Sequence, residues 1–364
     1  MFISFLMFFF FFICRCSSSN INSVIPSPSH HAWNRLEKLV NARKGNRVEE
    51  IVELKKYFHQ FGYYHHHHHH HSLLPKHHHD LKLDFTDEFN DDLERMVAHY
   101  QRNYNLPITG SLDPTTLSMI MSPRCGMPDH HMIMMKNVKR SSSSLLSHHV
   151  QHYLYFPGQP RWTKEIPITL TYAFSEQHMI PTYLSLRDIK AAFERSFSKW
   201  ASVIPIKFVE TEDVDFADIK IGFYNGDHGD GESFDGVLGV LAHAFSPENG
   251  RFHLDAAERW TIDFDKEDSS VAIDLESVAL HEIGHLLGLA HSNVKESVMY
   301  PSLKPREQKL KLKFDDIKGV QYLYGSNPNF TIGALLQSET SSSHRQIFQL
   351  IASSFIILII HYLC

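Results

Sequence analysis

The chain has 364 residues, enough for two domains and a sizeable core. Apolar residues make up 43% and charged residues 21%, a globular rather than disordered balance. A net charge of −6 argues against a general nucleic-acid binder, and four cysteines are too few for a disulfide-dense scaffold.

The first feature in chain order is an almost unbroken apolar run, Phe2 to Ile13. It is too short to span a bilayer and suits the core of a secretion signal, placed at residues 1–19; a buried helix or an anchor is the competing reading. From Ala32 to Gly62 apolar residues recur at helical spacing, among them Leu36, Leu39, Ile51, Leu54, Phe58 and Phe61. Histidine tracts follow at His65–His71 and His77–His79. They read as a low-complexity loop, with metal binding as the alternative. Asp87 to Tyr104 and a shorter stretch after Asp113-Pro114 predict further helices, and so a small helical domain. Residues 136–152 have the composition of a protease-sensitive linker and include Lys139-Arg140.

From Phe156 the texture changes. Strands are expected at Ile168–Phe174, Ile206–Val209, Ile219–Phe223 and Val237–Phe245. Helices are expected from Ser185, with Ile189, Phe193, Phe197 and Trp200 on one side, from Asp274 to Leu289, and from Phe314 to Tyr324. This order predicts an α+β domain ending near Gly325, with a long helix across a mixed sheet. A serine-rich stretch and an apolar tail, Leu350 to Ile360, close the chain. Together they resemble a GPI-anchor signal with Ser341, Ser342 or Ser343 as attachment site; a tail-anchored helix is the alternative. Cys14, Cys16 and Cys364 then fall in or beside removable segments, which leaves Cys125 as a lone thiol.

The segment most informative about chemistry is His281-Glu282-Ile283-Gly284-His285, followed by Gly288 and His291. Positions i and i+4 share a helix face, so His281 and His285 can meet one ion. Gly288 permits a sharp exit that returns His291 as a third ligand. Three neutral imidazoles leave a fourth zinc position open, as a catalytic site requires, with Glu282 beside it as general base. Upstream, His228, Asp230, His243 and His253 offer four N/O ligands suited to a closed structural zinc.

The His281–His291 pattern is the metzincin signature, and Met299 in Ser297-Val298-Met299-Tyr300-Pro301 resembles its Met-turn. Pro123-Arg124-Cys125-Gly126-Met127-Pro128-Asp129 resembles the cysteine switch of the matrix metalloproteinases, or matrixins. The resemblance spans roughly residues 30–325; the apolar tail, and the lack of a haemopexin-like region, resemble plant members most. It implies a five-stranded catalytic sheet with three helices and a helical, peptidoglycan-binding-like prodomain. It also implies that the Cys125 thiolate occupies the open zinc position in a latent proform. The division expected is a propeptide at 20–152, a catalytic domain at 153–325, a polar linker at 326–343 and a removed tail at 344–364.

Further expectations come with the family. The four upstream residues hold structural zinc. Asp235, Gly236, Leu238, Val240, Asp255 and Glu258 hold calcium, and Asp218 belongs to a second, incomplete calcium site. An extended substrate pairs with the strand near Val237–Phe245, and Tyr300-Pro301-Ser302 walls the pocket for the residue after the cut. Partners are then protein or peptide substrates and an activating protease, with no nucleic acid. The chain is expected as a monomer on the extracellular face of the plasma membrane. Asn329 is a glycosylation acceptor. Rival readings are a catalytically silent, zinc-stabilised surface module, a histidine-rich metal buffer and a wall-glycan binder.

Overall fold

The computed structural model describes residues 33–64, 85–129, 154–175 and 183–331. The signal, the histidine tracts, the linker with Lys139-Arg140 and the C-terminal tail lie outside the described residues.

The N-terminal part is helical. A 3₁₀ turn, Asn34–Leu39, precedes α1 (Ile51–Gln60), α2 (Asp91–Asn103) and α3 (Pro114–Ile120). The single helical run read over Ala32–Gly62 is thus broken in two. Asn41 and Gly45 both take positive φ between the pieces, which ends one helix before the other begins. The starts of α2 and α3 are capped as their sequences suggest. Asn90 accepts from the Leu93 N–H, and Asp113 accepts from the Thr116 N–H behind Pro114. Buried Gln101 ties the 109–116 turn together, donating to Thr109, Ser111 and Thr116 while accepting from the Thr109 and Gly110 N–H groups. Leu39, Leu54, Phe58, Phe61, Phe89 and Tyr100 form the core of this part. Phe234, Val240 and Tyr300 from the following domain complete the same apolar cluster.

The remainder is α+β. Its strands are β2 (Thr169–Phe174), β3 (Lys207–Glu210), β4 (Ile219–Tyr224), β5 (Val240–Ala244) and β6 (Arg251–Asp255). A short β1 (Arg124–Cys125) comes from the segment that follows α3. The sheet order is β1-β5-β6-β4-β2-β3, with β5 and β6 antiparallel and every other pair parallel. Five strands therefore belong to this domain, and the sixth is lent by residues 124–125. The ribbon β7 (Trp260–Thr261) and β8 (Ile273–Asp274) lies beyond β6.

Helix α4 (Leu186–Ala201) starts at a Ser185 cap and presents Ile189, Phe193, Phe197 and Trp200 to the core, the face its periodicity predicts. It packs on α5 (Leu275–Leu286), and Trp200 Nε1 donates to the Leu280 carbonyl at 2.9 Å. Every residue of α5 is buried. The last helix, α6 (Phe314–Tyr324), has the predicted bounds.

Two boundaries shift for a local reason. The strand expected at Val237–Phe245 starts at Val240, because residues 236–239 form a turn in which Gly236 and Leu238 take positive φ. The helix expected to reach Leu289 stops at Leu286. Gly288 lies at φ 98°, Leu289 N–H bonds to Gly284 O and Gly288 N–H to His285 O, a Schellman ending. A side chain at 288 would strike the Pro160 carbonyl at 2.2 Å.

Candidate metal centre

Helix α5 carries His281 and His285 one turn apart, and the turn at Gly288 brings His291 back beside them. The three ring centroids lie 4.8 to 5.3 Å apart. Each Nδ1 has an acceptor: Val298 O at 2.7 Å for His281, Leu289 O at 2.8 Å for His285, and Asp129 Oδ1 at 2.8 Å for His291. Those acceptors hold the proton on Nδ1 and leave Nε2 as the donor atom. The Nε2 atoms of His281 and His291 are buried without a protein partner. Cys125 Sγ lies 3.4 Å from His285 Nε2, and one ligand atom from each of the four residues falls within 4.8 Å of the others. Burial holds His281 and His291 neutral by driving their pKa values down. Neutral nitrogens, a thiol and orphaned lone pairs around one point fit a zinc ion.

Glu282 follows His281 and is fully buried, with no hydrogen-bond partner on either oxygen. Burial pushes its carboxyl up to about 8. Burial, then the adjacent Glu282, pushes the Cys125 thiol well up. A cation at this point reverses both tendencies. Met299 lies beneath α5. A Cβ on Gly284 would come within 2.2 Å of Met299 Sδ, so this glycine lets the helix settle on the methionine. Asp316 of α6 organises that floor, accepting from Ser297 Oγ, the Val298 and Met299 N–H groups, and Lys313 N–H.

The 123–126 segment is held on both sides. Arg124 N–H donates to Gly239 O at 3.0 Å and Gly126 N–H to Ala242 O at 2.8 Å. Opposite, Cys125 N–H donates to Pro301 O at 2.9 Å and Leu303 N–H to Pro123 O at 3.1 Å. Arg124 is 1% exposed; it pairs with Asp129 at 2.7 Å and lies 3.6 Å over the Phe61 ring, within reach of the Tyr57 and Tyr104 hydroxyls. Burial alone would raise the Asp129 pKa. The Arg124 charge and the His291 hydrogen bond outweigh it and hold Asp129 ionised.

Beyond β5, Asp230 Oδ2 lies 2.9 Å from His228 Nε2, 2.9 Å from His243 Nε2 and 2.8 Å from His253 Nδ1. Burial lowers His243 to about 4 and His253 to about 3, so both are neutral ligands. This second cluster also has donor atoms within 4.8 Å of one another. Nearby, the buried Asp255 and Glu258 and the solvent-exposed Asp235 bracket the 236–239 turn. Val240 N–H bonds to Asp235, Gly236 N–H to Asp255 and Leu238 N–H to Glu258. Crowding by surrounding atoms and the Asp255 charge push Asp235 up although it reaches solvent, and burial with the neighbouring acids raises Glu258 well above its ordinary value.

Asp218 directly precedes β4. It pairs with Lys164 at 2.5 Å and accepts from Thr171 N–H and Oγ1. A lysine ammonium thus faces the one carboxylate assigned to the second, incomplete calcium site. Asn329 is exposed, whereas Ser341, Ser342 and Ser343 lie outside the described residues.

The pocket beside His281 and Glu282 has the expected Tyr300-Pro301-Ser302 wall, with Leu241 and Val278 opposite. Lys309 also lines it, which the sequence reading missed; a lysine in a charged loop carries no pocket signal. Asp129 was read only as the end of a motif, although it bonds to a histidine 162 positions away. No local spacing reports such a contact.

Comparison with known proteins gives two family matches, Matrixin over residues 161–325 and the peptidoglycan binding domain over residues 47–120. The chain is 54% identical to Metalloendoproteinase 4-MMP of Arabidopsis thaliana over 295 residues, covering 80% of this chain and 78% of the relative. It is 48% identical to Metalloendoproteinase 1-MMP of the same plant, over 86% of this chain and 79% of the relative. Human Matrilysin is 34% identical over 65% of this chain and 78% of its own length.

Proposed function

The chain belongs to the matrixin family of zinc metalloendopeptidases, and on that premise we propose that it is a secreted zymogen whose 123–129 segment seals its own catalytic cleft. Membership makes it a peptidase with a prodomain, acting on peptide substrates and activated by cleavage. His281, His285 and His291 would hold the catalytic zinc through Nε2, with Cys125 as fourth ligand in the proform. His228, Asp230, His243 and His253 would hold a structural zinc. Asp235, Asp255 and Glu258, with carbonyls of Gly236, Leu238 and Val240, would hold calcium. Three acids turned together at raised pKa support a cation there.

Held by His281, His285 and His291, zinc would supply a Lewis acid that lowers the pKa of a water molecule and polarises the scissile carbonyl. Glu282 takes the water's proton and delivers it to the leaving amine, a role suited to a buried carboxyl free of other partners. The β5 edge and the Pro301–Leu303 backbone, freed of the latch, pair with an extended substrate. The pocket walled by Tyr300 and Pro301 takes the side chain after the cut.

The apolar runs at residues 2–13 and 350–360 support secretion and a GPI anchor on the outer membrane face, where matrix, wall or cell-surface proteins are the substrates. The domain limits stay as the sequence suggests, with a catalytic domain at 153–325 that acts as a monomer.

The observation that carries the reading is three Nδ1-anchored imidazoles converging with Cys125 beside an unpartnered Glu282. The test is metal analysis and peptide cleavage on the activated chain and on Glu282→Gln. Both proteins should hold zinc, and the variant should lose 10²-fold or more of its turnover, the order ascribed to acid–base help. Near-normal cleavage by the variant removes Glu282 as the base; an activated chain that cleaves nothing favours the silent-module reading.

A further inference from the structure

The three histidines of the metal centre are not anchored alike. His281 and His285 donate from Nδ1 to Val298 O and Leu289 O, backbone carbonyls of their own domain that remain after maturation. His291 donates to Asp129 Oδ1 at 2.8 Å, a carboxylate in the segment that cleavage removes. No other partner for that nitrogen is present among the described residues. We propose that Asp129 is a positioning residue for His291, so that the prosegment reinforces the metal centre through a carboxylate–histidine pair as well as through its thiol, and maturation loosens the metal's third ligand.

The geometry around Asp129 supports a built contact. Its side chain is fully buried. Oδ2 accepts from the Tyr63 and Tyr104 hydroxyls at 2.9 and 3.0 Å, and its backbone N–H donates to Phe61 O at 3.0 Å. Helical-domain residues thus fix the carboxylate, and Oδ1 is left to Arg124 and His291. A latch needing only the Arg124 pair would have no use for His291. An ionised acceptor makes a hydrogen bond about twice as strong as a neutral carbonyl does. It also raises imidazole basicity and fixes the ring, and losing such a partner costs about 10- to 100-fold in metal affinity. The zymogen is then the form with the firmest grip on its ion, beyond what Cys125 adds.

This inference rests on the catalytic zinc reading above, so zinc is first measured in the same sample of full-length zymogen. Absence of zinc would sink that reading. With zinc present, water exchange of the three imidazole N–H protons is followed in ¹⁵N-histidine-labelled protein, before and after removal of the prosegment. The His291 proton should exchange at least tenfold faster after removal, while those of His281 and His285 change less than twofold. Cys125→Ser zymogen, which lacks the thiol, should still release zinc to a chelator roughly tenfold more slowly than the mature enzyme. Adding Asp129→Asn should erase most of that difference, and Asp129→Glu should restore it. The proposal is overturned if all three protons respond alike or if the His291 proton does not respond. It is equally overturned if Cys125→Ser zymogen releases zinc as fast as the mature form.

Discussion

Arg124→Ala attacks the latch at its most enclosed point. The guanidinium is 1% exposed, pairs with a fully buried Asp129, lies against Phe61 and donates to two tyrosine hydroxyls. Cutting it away leaves the buried Asp129 charge with only its His291, Tyr63 and Tyr104 hydrogen bonds. Breaking a buried pair from one side costs roughly 3–5 kcal/mol. At about 1.4 kcal/mol per tenfold, the closed latch should give way to the open one by a factor of roughly 10² to 4 × 10³. Opening exposes Cys125, which is 4% exposed when closed. The assay is alkylation of the zymogen, read by mass spectrometry on the peptide carrying Cys125. When reclosing is faster than alkylation, the labelling rate follows the open population. A hundredfold or greater acceleration is expected, with earlier peptidase activity. A rate within threefold of the parent would show that the buried pair does not hold the latch, and would refute the energetic reasoning.

Gly284→Ala should lose about 1–3 kcal/mol to overpacking, because its Cβ meets Met299 Sδ; thermal unfolding checks it. Lys309, pushed down to about 8 mainly by burial, lines the pocket. Lys309→Met should keep or raise stability and shift preference after the cut toward long apolar residues by about tenfold in kcat/KM, read on a peptide library. For the calcium cluster the sign follows from raised folded-state values. The buried Glu258, raised well above its ordinary value, binds its proton more tightly folded than unfolded, so the calcium-free chain loses stability as pH rises from about 4 upward. The rise in melting temperature on adding calcium should therefore grow across that window; a gain that shrinks would exclude those carboxylates as the site.

The chemistry of the centre was legible because its three histidines are local. His281, Glu282 and His285 share one helical turn, and Gly288 announces the bend that returns His291. The same holds for Asn90 and Asp113 at helix starts and for the Phe314–Tyr324 helix. What stayed hidden depends on tertiary contact. The strand Arg251–Asp255 was seen only as a source of ligands, because its residues are read as a strand once β4 and β5 flank it. Lys164 answering Asp218, Lys309 turning to the pocket, and Asp129 reaching His291 link residues far apart in the chain. Spacing rules describe neighbours along the chain, and these pairs become neighbours only after folding.

Removing the latch bares hydrogen-bonding backbone on opposite flanks of one slot, along Gly239–Ala242 and along Pro301–Leu303. Such a slot reads main chain before it reads side chains, and it admits only a strand about one peptide wide. A helix or a paired sheet cannot enter until it has surrendered its own ladder. Folded proteins should then be nicked at their loops and frayed ends, and how readily a given target is cut should track how easily it unravels there.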